Sequence, residues 1–215
     1  MRPMNWIPCG LFGLACIFAA HAQLGQPGTG IPAAQIARAT SQAQAGEMDG
    51  TLSAGQERRA LQILLKSLQS HVVSSADAMP ADKYGFAPTD GEFTGVRTFG
   101  QEVKHLAATN HILAAAALGE APPADAGDET GPETIRTKAE ILDYLNGSFA
   151  HLARALAALG NTSVPVKSSP ISPLSATSVT RLALIVEALV HDFDHYGQMV
   201  EYLRMNGVVP PASRP

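Results

Sequence analysis

Cysteine is nearly missing from this 215-residue chain: the only two, Cys9 and Cys16, both lie in the first sixteen residues. If that segment is removed, neither a disulfide nor a cysteine nucleophile is available to the rest. Positive charge is not in excess either, with 15 Lys and Arg against 19 Asp and Glu and a net charge of −4. A nucleic-acid binder would usually show a basic face, so that class is excluded as an expectation. Aromatic residues are few, and no stretch alternates apolar and polar side chains convincingly, which leaves little for a β-sheet. Beyond the N-terminal segment no apolar run reaches the length of about 20 residues that spans a bilayer. What is present is alanine and aliphatic residues; an apolar fraction of 46% excludes a disordered chain. The length suits one domain with appendages.

Residues 1–22 read as a secretory signal peptide. Arg2 gives the positive start, an apolar stretch runs from Trp6 to Ala20, and Ala20-His21-Ala22 offers a small-x-small cleavage pattern. Pro8, Gly10 and Gly13 interrupt it, against a membrane anchor, and Gly13 stands where a lipobox needs a branched apolar residue. Cleavage is expected after Ala22, giving a periplasmic or secreted protein without a membrane span. Residues 23–52, rich in Gly, Ala, Gln and Thr, read as a flexible leader. The domain is expected over residues 53–215.

Four helical segments follow, each with punctuated ends. The first is expected from Ala54 to Ala78, after the capping box Ser53-x-x-Gln56 and before Met79-Pro80. The second covers Phe99 to Leu118, between Thr98-x-x-Gln101 and Gly119. The third spans Lys138 to Leu159, from Thr137-x-x-Glu140 to Gly160. The fourth runs from Ala176 to Asn206 and stops at Gly207. Apolar residues recur at helical spacing, as in Ile141, Leu142, Leu145, Phe149 and Leu152. Long helices of this kind pack best side by side, and the expected fold is all-α, a four-helix bundle.

Histidine carries the chemistry. His191 and His195 stand four residues apart and so share one helix face, the arrangement that grips one metal ion. Two imidazoles hold a divalent ion weakly, and His105 on the second helix is the best candidate for a third ligand. It lies about 9 Å from the start of its helix and His195 about 16 Å from the end of its own, so antiparallel packing brings them to similar depth. Three histidines without a thiolate suit zinc, nickel or another first-row divalent ion, and leave a position open for water or substrate. His71, His111 and His151 lack spaced partners; His111 is about 240° round the helix from His105 and cannot share its site. Asp192 and Asp194 flank the pair: either could orient an imidazole, or both could be solvated helix residues.

Three segments, in order, carry a resemblance to a known family. They are Met79-Pro-Ala-Asp-Lys-Tyr84-Gly-Phe86-Ala-Pro88, Arg97-Thr-Phe-Gly-Gln-Glu-Val-Lys-His105, and the run from His191-Asp-Phe-Asp-His195 to Ser213. Together they resemble the DinB-like proteins and the YfiT-like metalloenzymes. The resemblance implies an up-down-down-up bundle and a metal held by one histidine of the second helix and two of the fourth, here His105, His191 and His195. It implies a metal-dependent enzyme acting on a small molecule, either a hydrolase or a transferase using thiols such as bacillithiol or mycothiol. The alternative is a metal- or ligand-binding bundle without catalysis. The export signal sets this chain apart, since cytosolic thiol cofactors are scarce outside the membrane. Tyr84 and Arg97 are candidate pocket residues, although Tyr84 and Phe86 could equally cap the core. Members of the family often pair, so a homodimer is compatible with the resemblance, but no exposed stripe in the sequence marks an interface.

Overall fold

The computed structural model describes residues 54–126, 129–160, 165–167, 169, 171–172 and 178–215. The expected signal peptide, the leader and Ser53 of the first capping box lie outside the described residues. Four long helices form the bundle: α1 (Ala54–Ala78), α2 (Phe99–Leu118), α3 (Lys138–Ala157) and α4 (Arg181–Met205). No helix among the described residues is long and apolar enough to cross a membrane.

The helix ends follow from local chemistry. Thr98 and Thr137 each accept a hydrogen bond from the backbone N–H three residues on, and Gln101 and Glu140 reach back to close both capping boxes. Backbone N–H donors of Thr137 and Arg136 hold the Glu140 carboxyl down at about 2. At the far end of α2, Gly119 takes a φ of 75°, and Glu120 N–H bonds back to Ala115 O. That left-handed turn closes the helix without the steric cost that a Cβ would bring.

Two boundaries differ from expectation by two residues or more, and α4 ends one residue early, at Met205. α4 begins at Arg181 rather than Ala176, with Thr180 as its N-cap accepting from Ala183 N–H. The residues before it are extended: β2 (Ser178–Thr180) pairs antiparallel with β1 (Pro165–Lys167), with Val166 opposite Val179. Strands of three residues are too short for alternation to show in a sequence. α3 ends at Ala157, two residues early.

Contacts between helices give their directions. Ile141 packs against Gly100 near the starts of α3 and α2, and Arg154 binds Glu120 near their ends, so these two run parallel. Tyr202, near the end of α4, meets Phe99 at the start of α2, while Asp192, farther back in α4, meets Asn110 farther on in α2, which makes that pair antiparallel. His71 of α1 stacks on Tyr196 of α4 with ring centroids 5.4 Å apart. Lys138, at the start of α3, donates to Asp77 O and Met79 O at the end of α1, capping its last carbonyls. The bundle is therefore up-down-down-up. Phe99, Phe149, Leu68, Leu106, Leu145, Leu152 and Leu184 are fully buried at its centre. Each such side chain contributes about 1.5–3 kcal/mol by leaving water.

The connection from α1 to α2 seals one end. Tyr84 donates its hydroxyl to Ala76 O at 2.7 Å, and its ring meets Phe99 edge-on at 5.3 Å. Burial, with the Asp77 charge beside it, pushes the phenol upward from its ordinary value, so it stays a donor. Gly100 N–H bonds to Tyr84 O, and a Cβ at Gly100 would stand 3.2 Å from the Tyr84 ring. Phe86 packs edge-on against Tyr202, whose hydroxyl donates to Arg97 O at 2.8 Å. These contacts fix where α2 starts, and hence the depth of His105.

Candidate metal centre

Antiparallel packing of α2 and α4 brings three imidazoles to one point. His191 Nε2 lies 3.2 Å from His105 Nε2 and 3.0 Å from His195 Nε2. One ring nitrogen of each histidine lies within 4.8 Å of the others, and no other such group of three His, Cys, Asp or Glu occurs among the described residues. His105 and His195 are buried, and His191 is half-buried.

Hydrogen bonds at the outer nitrogens decide what the inner ones present. His105 Nδ1 stands 2.9 Å from Glu129 O, a group that only accepts, so Nδ1 carries the proton and Nε2 is bare. His195 Nδ1 donates to Glu102 Oε1, which leaves its Nε2 bare as well. A proton on His191 Nε2 could satisfy one of these neighbours. A cation satisfies all three at once. Zinc–nitrogen bonds of 2.0–2.1 Å place neighbouring ligand nitrogens about 2.9 Å apart at right angles and about 3.4 Å apart in a tetrahedron. The separations of 3.0 and 3.2 Å fall between these limits. The residues present thus fit a divalent first-row ion.

Electrostatics favour the neutral ligand form. Burial, followed by the neighbouring rings of His195 and His105, pushes His191 down to about 3. Burial also lowers His105, against the opposing effect of its bond to Glu129 O. Neutral imidazoles are what metal binding requires.

Two supporting residues were not singled out by the sequence reading. Glu102, only 3% exposed, sits one turn before His105 and reaches across to His195. Arg97 Nη1 lies 4.0 Å from the other carboxylate oxygen, so Arg97 touches the centre through Glu102 rather than directly. Glu129 takes a φ of 83°, a region that non-glycine residues rarely occupy, and thereby aims its carbonyl at His105. Its carboxylate Oε2 lies 3.7 Å from the same Nδ1.

The flanking residues go elsewhere. Asp192 is fully buried, accepts from Asn110 Nδ2 at 3.2 Å, and has its carboxyl pushed well upward by burial. Asp194 lies on the exposed side, accepting from Gln198. Tyr84 is committed to Ala76 O.

His111 and His151 meet as well, with their Nδ1 atoms 3.0 Å apart. Arg154 donates to His151 Nε2 at 2.9 Å and makes a two-pronged ion pair with Glu120. His151 Nδ1–H therefore donates to His111. A guanidinium beside two imidazoles opposes a cation, and the contact ties α2 to α3.

No curated protein matches the chain. A family model of the DinB superfamily matches residues 55–199, which hold all three converging histidines. With that match over most of its length, the chain belongs to the DinB superfamily.

Proposed function

We propose that this protein is an exported metal-dependent enzyme whose divalent ion, zinc or nickel by donor chemistry, is held by His105, His191 and His195. The observation that carries the reading is the convergence of three ring nitrogens, two of them stripped of protons by the partners of their outer nitrogens. A divalent ion there supplies Lewis acidity, which polarises a carbonyl and lowers the pKa of a water or thiol beside it. Three protein ligands leave room for such a group.

The chain's own residues do the rest. Glu102 holds the His195 ring in one orientation, and Glu129 O does the same for His105. α2 and α4 fix the spacing between them, and Arg97 adds positive charge behind Glu102. The signal peptide expected at residues 1–22 places the mature protein in the periplasm or outside the cell. Thiol cofactors are scarce there, which favours hydrolysis, or transfer between small molecules, over thiol-dependent chemistry.

The test is turnover by the metal-loaded mature protein on ester, amide and thiol–acceptor pairs, beside His195→Ala. Turnover that the substitution and a chelator both abolish supports the proposal. A loaded protein no faster than His195→Ala on every class would instead be a metal-binding bundle without catalysis.

A further inference from the structure

A cleft of about 650 Å³ opens beside the histidines, between the C-terminal half of α2 and the N-terminal half of α4. His191 stands at one end of it. The faces that carry the histidines continue as its walls. Thr109 and Leu113 follow His105 by four and eight residues on α2, while Glu187 and Ala183 precede His191 by the same intervals on α4. Eight residues of helix make each wall about 12 Å long. The volume lies within the range of small-molecule sites, roughly 300–1,000 Å³.

The lining selects among ligands. Most of it is aliphatic: Leu113, Ala183, Val186 and Val190 among others. Among the described residues no lysine or arginine contributes, and the two charged groups are the carboxylates of Glu129 and Glu187. Ser172 Oγ already donates to Glu187 at 2.7 Å. An anionic group on the ligand body, away from the histidines and their ion, would meet like charge without a cation to offset it. A polyol would leave its hydroxyls unmatched against aliphatic walls, at about 1–3 kcal/mol for each buried group. Thr109, 4% exposed and one turn beyond His105, has a buried hydroxyl without a protein partner among the described residues. It offers one polar contact close to the histidines.

We propose that this cleft binds the body of the substrate, and that the substrate is a small molecule with an uncharged, largely apolar body whose single oxygen or sulfur donor reaches the three histidines. This rests on the reading of His105, His191 and His195 as metal ligands, but the cleft can be tested separately. With zinc-loaded protein, calorimetry on straight-chain hydroxamic acids from acetohydroxamate to octanohydroxamate reads both parts. Affinity is expected to rise about fourfold for each added methylene while the chain lies against the walls. Val190→Asp, at a side chain 64% exposed and so tolerant of change, should weaken octanohydroxamate about tenfold or more and leave acetohydroxamate unaltered. Val186→Asp serves the same purpose if that variant misfolds. Affinity independent of chain length, with acetohydroxamate still bound, overturns the cleft proposal and leaves the metal reading standing. If no hydroxamate binds, the ion offers no open position to a ligand donor, and the neutral dye N-phenylnaphthylamine decides on chelator-treated protein. Fluorescence enhancement that Val190→Asp removes supports the apolar site; no enhancement overturns it.

Discussion

The buried carboxylate of Glu102 on α2 accepts the Nδ1 proton of His195 on α4, linking the two helices that supply the candidate metal ligands. A ring so held turns its other nitrogen toward the cluster and becomes a better donor. Glu102→Ala should therefore lower metal affinity about 10- to 100-fold, read by competition with a chelator. Glu102→Gln keeps an acceptor oxygen and should lose less. Equal affinity in Glu102→Ala and wild type would show that the carboxylate has no such part.

Metal should stabilise the fold. At an ion concentration about 100 times the dissociation constant, the expected gain is about 2.7 kcal/mol. Thermal unfolding of loaded and chelated protein measures it. His195→Ala should lose the metal-dependent rise in Tm while still unfolding cooperatively. A rise of the same size in that variant would place the ion elsewhere.

Acid should destabilise the metal-free protein. His105 and His191 in the cluster, and His151 in the α2–α3 contact, are all held below the ordinary histidine value, chiefly by burial. As pH falls through about 6.5 the unfolded chain takes up protons that the folded chain does not, so stability falls with pH. For His191 the loss continues to about pH 3. Urea midpoints at successive pH values should decline steadily below about pH 6.5. A flat or rising profile through that range would contradict the burial of neutral imidazoles.

Fold and site can be separated. Phe149 on α3 is 1% exposed, and α3 supplies neither a converging histidine nor the hydrogen-bond partners Glu102 and Glu129. Phe149→Ala should cost about 3–5 kcal/mol in unfolding free energy. Its folded fraction should still take up metal in the wild-type ratio. Loss of metal from protein that remains folded would show that the core sets the site more widely than the helix pair does.

Much of this was legible in the residues. Capping boxes at Thr98 and Thr137 and the glycine stop at Gly119 marked helix ends, because their hydrogen bonds are local. His191 and His195 declared one face by spacing, and His105 followed from depth and from the family resemblance. Glu102 was hidden for a physical reason: an acidic residue in the first turn of a helix already has an explanation in the helix dipole. Glu129 acts on His105 through its backbone carbonyl and an unusual φ, neither of which a side chain announces. The aliphatic walls of the cleft have the same pattern as core. The β1–β2 ribbon is set by pairing between segments too short to show a period.

Anomalous diffraction from crystals of the zinc- or nickel-loaded protein tests the central claim most directly. The account requires one peak per chain, bonded to Nε2 of His105, His191 and His195 at about 2.0–2.1 Å for zinc. A folded, loaded protein with no peak at that point, or with its ion on other residues, would contradict it.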